Sequence, residues 1–151
     1  MPRGDPRSAP WEALQADSQT TTVAAQERDR SSLLNLYREL IHLRDASSPL
    51  AIGALIPLTT SSDAVAAYVR RDGERTVMVI ANLGATTLHG VSMSAPGSSL
   101  PGGRWMMRDA LGGPPAATLV VPADGAISGY VPLPSLAPMT AHVFTLTARR
   151  P

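Results

Sequence analysis

The chain has 151 residues, enough for a single core and too few for a complete barrel enzyme, which needs roughly 250 residues. Its 13 basic residues, all arginine, are scattered among 12 acidic ones, and a net charge of +1 leaves no electrostatic footprint for nucleic acid or an anionic membrane. The absence of cysteine excludes disulfides and thiolate metal sites, and no apolar run approaches the ~20 residues of a membrane span, so neither partner class is expected and the compartment stays open.

Residues 1–27 are polar and punctuated by proline, and TTTVAAQ (Thr20–Gln26) reads as a short extended piece within a loop. SSLLNLYRELIHLR (Ser31–Arg44) follows with a period of 3.6. At about 100° per residue, Leu33, Leu34, Leu36, Tyr37, Leu40, Ile41 and Leu43 share an arc of roughly half the circumference. Ser32, Asn35, Arg38, Glu39, His42 and Asp45 occupy the rest. A stripe that wide calls for a broad apolar partner. Asp29 is the expected cap through its carboxylate, and Ser47-Ser48-Pro49 is the expected stop, because proline cannot continue a helix. Arg44 falls inside the apolar arc, where its stem can lie on apolar surface while its guanidinium reaches a carboxylate or helix-end carbonyls.

From Leu50 onward the period changes to 2. Ala64–Arg71 and Arg75–Gly84 flank Asp72-Gly73, a hairpin signal because glycine tolerates the positive φ of a primed turn. Further strands are expected over Thr86–Ser94, Gly103–Leu111, Ala117–Pro122, Ala126–Leu133 and Thr140–Leu146. Short strands at this spacing, with glycine and proline turns, predict a mainly β fold: an antiparallel Greek-key β-sandwich preceded by a loop and one amphipathic helix. Val77–Ala81 is continuously apolar, which implies burial on both faces.

The N-terminal series resembles the segment by which α-amylase-family glycoside hydrolases, in their amylase and α-glucosidase branch, leave the catalytic (β/α)8 barrel. In that family a PW-containing loop precedes a V-x-x-Q element, a D-P-x-S-L-L helix ending in L-I-x-L-R, and a glycine-containing lead into a C-terminal β-sandwich. Pro10-Trp11, Val23, Gln26, Asp29, Ser32, Leu33, Leu34, Tyr37, Leu40, Ile41, Leu43, Arg44 and Gly53 match, and Val77–Leu83 is similar to the family's V-x-V-x-x-N-L/F strand. Arg30 replaces the usual proline, Ser47-Ser48 stands where histidine or alanine is frequent, and Thr22 replaces asparagine.

The resemblance implies that residues 1–48 are the tail of a catalytic barrel, loop and last helix, and residues 49–151 the sandwich domain. The family's paired carboxylates, about 5 Å apart in a retaining scheme, would lie upstream, so no catalytic residue is assigned to this chain. Asp109 and Asp124 read as strand-end and turn carboxylates. His42, His89 and His142 fall on different elements and make no metal site; no cofactor is expected here, and calcium in the parent barrel is left open. Leu33, Leu36, Tyr37, Leu40, Ile41, Leu43 and Arg44 form the barrel-facing surface or, failing a barrel, an interface for self-association. Trp11 and Trp105 are weak candidates for stacking on sugar rings. The expected function is an accessory domain bracing an α-glucan-active barrel, with the glucan reached only through that parent. The rival expectation is a stand-alone carbohydrate-binding module, for which only two Trp and three Tyr are available.

Overall fold

The computed structural model describes residues 22–149. Within them, the residues up to His42 and those from Leu43 onward form two compact units.

The first unit opens with helix α1, Val23–Arg28, where the sequence suggested extended chain. The Thr22 hydroxyl accepts from the Ala25 N–H at 3.2 Å, and Ala-Ala-Gln-Glu-Arg are good helix formers; the cap and these propensities outweigh the β-branched threonines. Helix α2 then runs over Leu33–Ala46. Its start is one turn later than an Asp29 cap would place it. Asp29 instead accepts from its near neighbour, the Ser31 N–H at 2.9 Å and hydroxyl at 2.6 Å, and Ser32 takes the capping position.

The second unit begins with the end of α2 and a short helix α3, Ser48–Ile52. Pro49 therefore opens a new helix at a first-turn position, where its missing N–H costs nothing. Eleven strands follow among the described residues: β1 Ala54–Pro57, β2 Thr59–Thr60, β3 Val65–Asp72, β4 Arg75–Asn82, β5 Leu88–His89, β6 Met93–Ala95, β7 Gly103–Asp109, β8 Leu119–Val121, β9 Ile127–Tyr130, β10 Ser135–Leu136 and β11 Thr140–Arg149. Thr86–Ser94 is thus not one strand: Gly90, at φ +59°, breaks it into β5 and β6.

The large sheet has the order β1-β3-β4-β11-β7-β8, every pair antiparallel. Strands β2-β6-β9 and the pair β10-β5 form the second layer. From β7 the chain passes to β8, crosses to β9 in the other layer and returns as β11 beside β7, which is the Greek-key path. Val69, Met78, Ile80, Met107 and Phe144 from the large sheet meet Met93, Ile127, Tyr130 and Leu136 from the other layer in one core.

On β4, Met78 and Ile80 are fully buried in that core. Val77 is buried on the opposite face and Val79 and Ala81 are half-buried there, where α3 packs on β3 and β4. The hairpin turn is shifted by one residue from the sequence expectation. Asp72 pairs with Arg75, so Gly73-Glu74 form the loop, with Gly73 at φ +58° in the first position, the signature of a type II′ turn.

Candidate functional site

The apolar stripe of α2 rests on a built N-terminus. Gln26, on α1, accepts the Leu34 N–H through Oε1 at 3.0 Å, and its backbone carbonyl accepts the Ser32 hydroxyl at 2.7 Å and the Asn35 Nδ2 at 2.9 Å. Two first-turn N–H groups of α2 are so satisfied by side chains, Leu34 by Gln26 and Asn35 by Ser32 Oγ at 3.4 Å. The Val-x-x-Gln and Ser-Leu-Leu elements of the sequence are therefore two halves of one cap. Arg38 reaches back to Glu27 at 2.9 Å. Hydrogen bonds from the Ser31 hydroxyl, then from its N–H, hold the Asp29 carboxyl below the usual aspartate range.

The stripe itself faces outward. Leu33, Leu36, Tyr37, Leu40 and Ile41 are 64%, 44%, 59%, 37% and 54% exposed, while Leu43 is half-buried. Arg44 is exposed and donates through Nη2 to the Ala51 carbonyl at 3.4 Å, a carbonyl of α3 and not of its own helix end. The tighter grip on α3 comes from Arg70 on β3, which sequence reasoning missed. Its Nη1 donates to Leu50 O at 2.8 Å, and its Nη2 and Nε to Gly53 O at 2.8 and 3.3 Å. No local sequence signal marks Arg70, because its partners lie some 20 positions earlier.

Asp109 is a strand-end residue whose Oδ1 accepts the Leu111 N–H at 2.9 Å. Its Oδ2 lies 2.7 Å from His142 Nδ1, a contact across β7 and β11 that the sequence did not suggest. Both oxygens of this buried carboxylate are thus occupied. Gly113 closes over it, since a Cβ there would meet Asp109 Oδ2 and lie 3.2 Å from His142 Nδ1. Asp124 makes the expected turn contact, accepting the Ala126 N–H at 3.0 Å. His42, His89 and His142 stand on α2, β5 and β11.

Trp105 is 5% exposed, packs in the core and donates Nε1–H to Pro101 O at 3.1 Å. No ring face is left at the surface for a sugar. Trp11 lies outside the described residues. The Tyr130 hydroxyl donates to Ala117 O at 2.5 Å beside the Met107 sulfur, and burial pushes its phenol well above the ordinary tyrosine range.

The capped amphipathic helix and the two-layer antiparallel sandwich bear out the resemblance to the C-terminal part of an α-amylase-family glycoside hydrolase. No protein-family model matches it. The glucan 1,6-α-glucosidase of Streptococcus pneumoniae serotype 4 is 32% identical over 74 residues, 49% of this chain and 14% of that protein. Among solved structures, isomaltulose synthase PalI from Klebsiella sp. LX3 is similar with a TM-score of 0.61 and 22% identity, covering 93% of this chain and 22% of that one. Trehalulose synthase MutB from Pseudomonas mesoacidophila MX-45 gives a TM-score of 0.60 at 22% identity, with 91% and 22% covered. The chain spans about a fifth or less of the length of these proteins.

Proposed function

We propose that the chain serves as the C-terminal accessory part of an α-glucan-active glycoside hydrolase. Helix α2 closes the outer layer of a catalytic barrel, the sandwich braces it, and the chain contributes no catalytic group of its own. The glucan is then a ligand of the parent enzyme. The observation that carries this reading is the exposed stripe of Leu33, Leu36, Tyr37, Leu40 and Ile41 on a helix whose start is fixed by α1. Each such side chain gains roughly 1.5–3 kcal/mol on full burial, so the stripe is shaped for a partner. Similarity to a glucan 1,6-α-glucosidase supports the substrate class.

Two measurements test it. The chain alone should not turn over p-nitrophenyl α-glucoside, maltose or starch; turnover by clean protein that is lost in Asp109→Asn would overturn the reading. Without a barrel the stripe should drive self-association, the same patch being presented by both copies. Light scattering at tens of micromolar should show a dimer or larger species that Leu36→Glu/Leu40→Glu converts to monomer. A monomeric wild type would show that the stripe needs no partner.

A further inference from the structure

Besides Arg70, whose guanidinium is taken up by Leu50 O and Gly53 O, four arginines share the outer face of the large sheet. Arg104 and Arg108 stand on β7 with Met106 between them, on the opposite side from the buried Trp105, Met107 and Asp109. The register sets Arg104 opposite Arg149, Met106 opposite Thr147 and Arg108 opposite Thr145. Val77 pairs with Thr145 on the other side of β11, so Arg75, two residues before Val77, faces the same way. All four are exposed, and none makes a hydrogen bond or an ion pair with a described residue. Among the described residues Asp72 sits opposite Arg75 without an ion pair, Glu74 makes no ion pair, and Asp109 is bound to His142 on the other face.

Like charges directly opposite in a sheet destabilise it, and Arg104 against Arg149 is such a pair. Between Arg104 and Arg108 the face is apolar, Met106 being 57% exposed, and Val120, 59% exposed, pairs with Arg104 from the edge strand β8. Beside it opens a groove of about 750 Å³ that Val77, Val143, Thr145 and Thr147 help to line.

We propose that this face docks a protein surface that presents carboxylates beside apolar side chains. The arginines are spread over three strands spaced about 4.8 Å apart, which suits several separate anions and not one small one. Arginine on either side of an exposed methionine, with an exposed valine next to it at the sheet edge, has the composition of a protein interface, whereas a polyanion site would have no use for these apolar side chains. None of the four arginines, Met106 or Val120 belongs to the α2 stripe.

Two readouts on the full chain decide it. Arg104→Gln and Arg149→Gln should each raise the melting temperature by about 2 °C at low salt, and the gain should vanish in 1 M salt, where screening acts within about 3 Å. A fall would mean that the pair is satisfied in the free chain and would overturn the proposal. In fluorescence anisotropy, a labelled amphipathic peptide with glutamates four apart beside leucines should bind the wild type, and bind Arg75→Gln/Arg104→Gln/Arg108→Gln/Arg149→Gln at least tenfold more weakly. No binding to the wild type, equal binding to both, or tighter binding of a short single-stranded DNA would each refute it. Self-association abolished by the arginine substitutions would make the occupant a second copy, which also refutes it.

Discussion

Asn82 should be among the most damaging surface-remote positions to truncate. Its side chain is 1% exposed and serves a whole corner of the sandwich. Nδ2 donates to the carbonyls of Thr86, Leu136 and Ala137 at 2.9, 3.1 and 2.9 Å, and Oδ1 accepts the Gly84 N–H at 3.0 Å. One residue so joins the chain leaving β4 to the segment between β10 and β11. Asn82→Ala leaves these groups without partners in a site that water reaches poorly, at about 1–3 kcal/mol for each group that stays unsatisfied. Allowing for partial rescue by water at the turn, the loss should be about 3–4 kcal/mol, or a melting temperature lower by roughly 10–15 °C. Asn82→Asp keeps the acceptor but turns a negative charge toward three carbonyls, and should be at least as damaging at neutral pH. Urea unfolding followed by circular dichroism gives both values. A loss below about 1 kcal/mol for Asn82→Ala would show that the corner does not depend on this network and would refute the reasoning.

At Gly73 a Cβ would meet nothing within 4 Å, so Gly73→Val carries only the backbone cost of a β-branched residue at φ +58°, about 1–3 kcal/mol, and Gly73→Asn should cost less; equal stability of the two by thermal melting would contradict the II′ turn. Arg70→Met keeps the packing stem but removes the bonds to Leu50 and Gly53, and should destabilise by about 2 kcal/mol while hydrogen exchange at the Ala51 and Gly53 amides accelerates; unchanged exchange would mean that α3 is held otherwise. Because the Tyr130 phenol is raised in the fold, its contribution is fully present below the ordinary tyrosine value of about 10 and is lost as pH rises beyond it. Tyr130→Phe should therefore cost about 1 kcal/mol at neutral pH and flatten the alkaline decline in stability, and a pH profile parallel to wild type would count against this assignment.

What could be read from the sequence is what periodicity encodes. Fourteen residues of α2 repeat an apolar period several times over, and β3, β4, β7 and β11 are long enough to alternate visibly. Strands β2, β5 and β10 have two residues each, too few to show any alternation, and they exist only because a neighbouring strand offers hydrogen bonds. The Asp29 cap that the sequence suggests gives way to Ser32, immediately before α2, and to Gln26, whose side chain reaches Leu34 from eight positions back. Asp109 and His142 meet across strands 33 positions apart, a contact set by register and not by local pattern. The same holds for Arg104 and Arg149, whose apposition appears only once β7 and β11 are paired. The apolar arc of α2 was legible as a pattern, but its neighbours were not.

Strand β11 has a consequence for the order of events during synthesis. It occupies the middle of the large sheet and is the last strand of the described residues to emerge. The β3–β4 hairpin and the β7–β8 pair are each local and can form as soon as their own residues are made. Neither can join the other until β11 arrives, because Asn82 waits for Thr140, Thr76 for Leu146, and Trp105 for Ala148. Until then both carry unsatisfied inner edges, the kind of surface that recruits foreign strands. Closure of the sheet is a late, non-local step, and folding should be slow for a chain of this size. A ribosome stalled before Thr140 would hold two half-sheets, vulnerable to proteases and open to mispairing, and the final ten residues of the strand would convert them at once into a single cooperative body.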